Sequence, residues 1–213
     1  MSETILITTP EVTAGPCDLA VPHVYKDPKT GVTGEPKYRL SFTVKQSDPF
    51  CAELIKTIRK AALDIEGVQE KKGGGFFVTL PNGDTRTLKL PYETGENINA
   101  RLVAGGGKAL DYLAGTVQFS AISKDQPEMI DRFGNALTGK EVTVGSSLCV
   151  GLGVRGASNA VFSGVLLYVN QLILIKQGSG QRRAATDVFA DVLAKLKAAG
   201  VTSAPAADED LAL

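Results

Sequence analysis

The sequence predicts a mainly β domain with added helices, and three observations carry the prediction. β-Branched residues recur in alternating runs, Gly and Pro clusters separate those runs, and glycines interrupt the longest of them. Long strands that bend at glycine close on themselves as a small barrel.

Taken in order, Glu3 to Thr8 reads as a strand. Pro36 to Lys45 alternates cleanly, with Tyr38, Leu40, Phe42 and Val44 on one face and Lys37, Arg39, Ser41, Thr43 and Lys45 on the other. That strand is half apolar and half basic. From Pro49 to Ile65 the spacing turns helical: Leu54, Ile55, Ile58, Ala62 and Ile65 share a side, and Asp48 is placed to cap the N-terminus. Phe76 to Leu80 and Thr85 to Leu90 flank Pro81-Asn82-Gly83-Asp84, which predicts a hairpin with a type I′ turn. Short helices are expected around Asn97 to Val103 and Lys108 to Leu113, divided by Gly105-Gly106-Gly107. Thr116 to Ser123, Glu141 to Val154 and Val161 to Lys176 read as longer strands, with bends expected at Gly145, Gly151 and Gly153. Thr186 to Ala199 reads as an amphipathic C-terminal helix with Val188, Phe189, Val192 and Leu196 inward, stopped by Gly200.

This divides the chain into a domain over 1–180, a helical segment over 181–200 and a flexible acidic tail over 201–213. The tail has too little large apolar surface to order itself, and it gathers Asp208, Glu209 and Asp210 before ending in Leu213. A free acidic tail serves either solubility or interaction. Of the 23 acidic residues three lie in the tail, so positions 1 to 200 carry 20 acids against 23 basic residues, about +3, although the whole chain is neutral.

Composition narrows the class further. With 43% hydrophobic residues in 213, the chain has enough to bury a core. It contains no apolar run long enough to span a membrane and no basic-then-apolar leader, so a cytoplasmic location is expected. Cys17, Cys51 and Cys149 are odd in number and widely spaced, which fits neither a disulfide framework nor a zinc cluster. No cofactor is indicated.

Catalytic signals are weak. His23, the single histidine, sits in Val-Pro-His-Val-Tyr without a nucleophile or acid pattern around it, and a structural role outweighs a catalytic one. Asp125, Glu128 and Asp131 around Pro127 offer a carboxylate-only metal site, weighed against ordinary turn chemistry. Gly105-Gly106-Gly107-Lys108 fails the phosphate-loop pattern, since Leu102 and Ala109 stand where Gly and Ser or Thr are required. Two readings remain for it: a loop whose amides and Lys108 touch phosphates, or a plain turn.

Lys71-Lys72-Gly73-Gly74-Gly75-Phe76-Phe77 places two cations and a glycine loop before two aromatics at the start of a strand. Alternation sends one ring to the core and the other outward, where a ring beside lysines suits base stacking with the cations on phosphates. The competing reading puts both rings in the core. Arg86 and Lys89 on the returning strand and then Tyr92 extend the same texture.

With the hairpin, Gln126-Pro127-Glu128-Met129-Ile130-Asp131 and Gly164-Val165-Leu166-Leu167-Tyr168-Val169-Asn170-Gln171-Leu172 in place, the chain resembles a family of tailed-phage OB-fold single-stranded DNA-binding proteins, once catalogued as a domain of unknown function. The likeness runs from about Thr4 to Lys176. It is carried by order and spacing: Pro36-Lys37-Tyr38 opening a basic strand, the long helix, the Pro81-Asn82-Gly83-Asp84 hairpin, a Pro-x-x-Ile-Asp segment and the Gly-Val-x-x-x-Val-Asn-Gln-Leu strand. The resemblance implies an OB-fold-like five-stranded barrel with a helix between early strands and elaborated loops. It further implies sequence-independent binding of single strands in phage DNA replication or recombination, in the host cytoplasm and without enzymatic activity.

Under that reading the phosphate contacts fall to Lys37, Arg39, Lys71, Lys72, Arg86, Lys89, Arg101, Lys108 and Arg155, with Phe77 and Tyr92 as stacking rings. Asp208, Glu209, Asp210 and Leu213 would compete with DNA or dock replication proteins, and self-association is compatible with the pattern. Comparable tails end in an aromatic residue; this one ends in Leu213. The alternative reading is a virion or tail assembly protein, for which a Gly-rich, strand-rich, near-neutral chain is also suited.

Overall fold

The computed structural model describes residues 4–26, 31, 33–72, 75–80, 83–159 and 162–179. The predicted helix over Thr186 to Ala199 and the acidic tail lie outside them.

The chain begins with β1 (Ile5–Thr8) and β2 (Val12–His23), followed by β3 (Lys37–Lys45). Helix α1 (Pro49–Leu63) comes next. Asp48 caps it by accepting the Phe50 amide at 2.9 Å, and Pro49 occupies the first turn, where no amide donor is needed. Leu54, Ile58, Ala61 and Ala62 form its buried stripe. A small sheet of β4 (Val68–Glu70), β5 (Phe76–Thr79) and β6 (Thr85–Thr87) follows. Then come β7 (Tyr92–Thr94), α2 (Gly95–Ala104), a 3-10 turn (Asp111–Leu113) and β8 (Thr116–Ser123). The chain closes with β9 (Glu128–Asp131), β10 (Ser147–Ser158) and β11 (Ser163–Lys176).

Five strands form a closed ring in the order β2-β3-β8-β11-β10, and β10 returns to β2 through Ser147↔Thr13 and Leu148↔Val12. All contacts in the ring are antiparallel except β8 with β11, which run parallel at Leu167↔Ala121. This is an OB-like five-stranded barrel, as the resemblance implied. β1 extends the ring beyond β10, β9 runs along β11, and β7 pairs with β8. Inward residues fill the barrel, among them Leu40, Phe42, Phe119, Leu148, Leu152, Leu167 and Val169. Phe42 and Phe119 stack with centroids 5.4 Å apart.

One strand was not expected and three local expectations are corrected. β2 escaped the sequence pattern because Gly15, Pro16 and Pro22 break its alternation; the register shifts between Ala14 and Cys17 and between Asp18 and His23, so both prolines fall where the ladder is irregular. The hairpin is not a two-residue type I′ turn. Thr79 pairs with Thr85, the Leu80 amide donates to Asp84 O at 2.8 Å, and Gly83, at φ +85°, is the left-handed residue of a three-residue loop. The second short helix shrinks to the turn at Asp111–Leu113. β10 starts at Ser147 rather than Glu141, because Gly145 at φ +84° turns the chain first.

Candidate nucleic-acid interface

Registered partners on neighbouring strands project to the same side of a sheet. The pairs Asp18↔Arg39, Arg39↔Ile122, Ile122↔Tyr168, Tyr168↔Gly153 and Gly153↔Leu6 therefore form one row around the outside of the barrel. Arg155, opposite Leu166, lies two residues beyond Gly153 and is a diagonal neighbour of Tyr168. Arg39, Ile122, Tyr168 and Arg155 are all half-buried. A tyrosine is thus set between two guanidinium-bearing positions on one outer surface. Lys37 continues the basic edge of β3 opposite His23, whose Nδ1 is 3.8 Å from Asp18 Oδ2. Lys37 and Arg39 form no ion pair among the described residues.

The small sheet supplies a second basic and aromatic surface. Alternation places Phe76 in the core, with the Arg59 guanidinium 5.2 Å from its ring centre, and leaves Phe77 half-buried on the other side. Lys71 Nζ lies 5.6 Å from the Phe77 ring centre, a cation–π distance, and Lys72 is exposed beside it. Arg86 Nη1 donates to Asn159 O at 3.2 Å, tying the hairpin to the loop between β10 and β11. The Lys89 amide donates to Ser163 O and the Val165 amide to Lys89 O, each at 3.0 Å, which fixes the backbone there and leaves the Lys89 side chain exposed.

Other expected residues are placed differently. Tyr92 faces inward from β7 and packs on Phe119 at 5.9 Å between centroids, so its ring is a wall of the core. Arg101 pairs with Glu93 at 3.0 Å. The glycine loop before Lys108 is not a phosphate cradle: the amides of Gly105, Gly106 and Gly107 donate to Arg101 O, Val103 O and Leu102 O, completing the C-terminus of α2. The carbonyl end of a helix also repels anions. Lys108 remains as an exposed cation alone. Asp125, Glu128 and Asp131 make no metal centre, since no group of three potential ligands comes together among the described residues.

Asp131 has a different task. Its Oδ1 accepts the amides of Phe133 and Asn135 and its Oδ2 accepts Asn135 Nδ2, all at 2.8 Å, and Gly134 turns the chain at φ +87°. These bonds, Asn135 first, hold the Asp131 carboxyl below its ordinary range. They fix a hairpin tip that presents Phe133 at 75% exposure with the Arg132 guanidinium 4.6 Å from its ring centre. Sequence reasoning missed Phe133 and also Tyr168. The signal for Phe133 was Asp-x-Phe-Gly-Asn, a turn that lifts an aromatic out of the core; Tyr168 needed knowledge of which strand face was outside.

The tail residues Asp208, Glu209, Asp210 and Leu213 lie outside the described residues. No protein-family model matches the chain, and no curated protein sequence matches it. Solved structures do. The single-stranded DNA-binding protein from bacteriophage Enc34 in complex with single-stranded DNA aligns at a TM-score of 0.60 and 14% identity, over 83% of this chain and 89% of that one. Gp2.5, a single-stranded DNA-binding protein encoded by bacteriophage T7, aligns at 0.53 and 16% identity, over 89% of this chain and 94% of that one. These likenesses establish a shared fold.

Proposed function

We propose that this chain is a sequence-independent single-stranded DNA-binding protein of phage replication or recombination, working by binding alone. The observation that carries the reading is the outer surface on which half-buried Tyr168 shares a row with Arg39 and has Arg155 as a diagonal neighbour. β3 and β8 are the second and third strands of the barrel, the face that OB-folds use for oligonucleotides. The shared fold with phage proteins of this activity supports the same reading.

Mechanistically, the two arginines and Lys37 hold phosphates by charge while the tyrosine ring takes a base face, a contact every base offers. Lys71, Lys72, Phe77, Arg86 and Lys89 give the strand a second foothold, and Lys108 adds a distant cation. Arg101 contributes less, its charge being balanced by Glu93. The acidic tail then acts as a tethered competitor for the basic face or as a dock for replication proteins. The test is titration with single-stranded and duplex oligonucleotides over a salt series. A strong preference for single strands with a steep salt slope is expected; no binding at low salt would end the proposal.

A further inference from the structure

The row through Tyr168 does not stop at the basic face. Past it, the outer surface of β1, β10, β11 and β9 sinks into a furrow lined by Thr8, Glu128, Ile130, Cys149, Gln171 and Ile173, with a cavity of about 180 Å³. Its floor is shallow in side chains because the β10 position there is Gly151, opposite Gln171, while Gly153, opposite Tyr168, lies buried under the Thr4 side chain. A Cβ at Gly151 would meet Gln171 Cγ at 2.8 Å, so glycine is what lets that side chain lie across the strand. The cavity is smaller than the roughly 300–1,000 Å³ that encloses a whole small-molecule ligand, but it has room for one ring of a larger one. Three residues on from Ile130, the Asp131-braced tip presents Phe133 and Arg132. Ile173, 39% exposed, and Leu6, 74% exposed, add apolar surface that the fold leaves uncovered.

We infer that this furrow is a nucleobase subsite, which continues the single-strand path from Tyr168 across the β10–β11 surface to a terminal stacking ring at Phe133. The occupant is the same strand held by Arg39 and Arg155, because the two surfaces adjoin along β10: Gly153 pairs with Tyr168, and Gly151, two residues away on the same face, lines the furrow. Gln171 and Glu128 sit in register on β11 and β9 and face the furrow with an amide and a carboxylate, groups that hydrogen-bond base edges; Arg132 supplies the cation at its far end. Phosphates stay off the carboxylate and along the rim. The inference rests on the function proposed above and lengthens its site.

Cys149 is a built-in reporter, since it lines the furrow as a free thiol while Cys51 is buried. Peptide-resolved maleimide labelling of the full chain, with and without an oligothymidylate of about 20 nucleotides, reads its access directly. Bound oligonucleotide is expected to slow Cys149 labelling several-fold. The second measurement is Phe133→Ala, a change at an exposed position that leaves the core intact: it should lose about fivefold or more in affinity for the 20-mer, but little for an oligonucleotide of about 6 nucleotides, which fills only the Arg39–Tyr168 face. Unchanged Cys149 labelling with oligonucleotide demonstrably bound, or full affinity of Phe133→Ala for the long strand, overturns the subsite. Failure of the native chain to bind either oligonucleotide overturns the proposed function instead.

Discussion

Tyr168 and Gly153 face each other across the β10–β11 ladder, so the tyrosine ring stands beside a strand position that carries no side chain. Its other lateral neighbour is Ile122, with Arg39 one strand further on. The Thr4 methyl fills the space over Gly153, where a Cβ would meet it at 3.0 Å, so the half-buried ring is held between Thr4 and Ile122 with the Arg39 cation beyond. Tyr168→Ala is expected to weaken single-strand binding by about 1–3 kcal/mol, read by fluorescence anisotropy, with an unchanged circular dichroism spectrum. Equal affinity in the variant would remove the ring from the site.

Arg39→Ala should act differently. Loss of one phosphate contact lowers affinity for all sequences alike and reduces the magnitude of the log–log salt slope by about 0.7. An unchanged slope would mean that Arg39 does not neutralise a phosphate. Arg101→Ala, whose cation is already balanced by Glu93, should change the slope less.

If the acidic tail competes for the basic face as proposed, removal of Asp208 to Leu213 takes that competitor away. Binding should tighten most at low salt and converge with the full chain as salt screens both. Equal or weaker binding by the truncated chain at low salt would refute competition.

Asp131 sets an acid limit on the β9 tip. Its carboxyl is held below the ordinary range by Asn135 and the neighbouring amides, so its contribution is present above the unfolded value of about 3.9 and is lost as the pH falls through the lower folded value. Protection of the Phe133 and Asn135 amides, relative to their intrinsic exchange at each pH, should therefore hold through neutral and mildly acidic pH and fall only in strong acid. In Asp131→Ala the same amides should exchange rapidly at neutral pH; protection there would show that the turn does not depend on the carboxylate.

Gly95→Ala tests the join between α2 and the turn before β8. A Cβ at Gly95 would coincide with the backbone carbonyl of Leu113, which cannot swing away as a side chain can. The expected cost is on the order of 3 kcal/mol, seen as a fall in Tm. A Tm within a degree or two of the native chain would contradict the packing described.

Much of the barrel was legible from periodicity. The β3 pattern of Leu40, Phe42 and Val44 inward against Lys37 and Arg39 outward is the clearest case, and the Asp48-Pro49 start of α1 is another. Strands with broken alternation were hidden: β2 keeps its place through bulges that accommodate Pro16 and Pro22, and β4, β7 and β9 are too short to show a period. The site was less legible because it depends on register. Lys71 and Phe77 are close in sequence and were found together, whereas Arg39, Tyr168 and Arg155 share a surface only after four strands, β3, β8, β11 and β10, align. Glycine amides before Lys108 looked free because sequence does not show that the end of α2 already engages them.

The parallel junction of β8 with β11, and the return of β10 to β2, also set the order in which the protein can be built. Val12 waits for Leu148 and Ala121 for Leu167, so a nascent chain carries open edges until its last two strands emerge. Pairings between such distant positions slow folding and prolong the exposure of unpaired strands. A chain released before β11 would leave the β8 and β10 edges that β11 covers unpaired, the kind of edge through which partly made sheets associate.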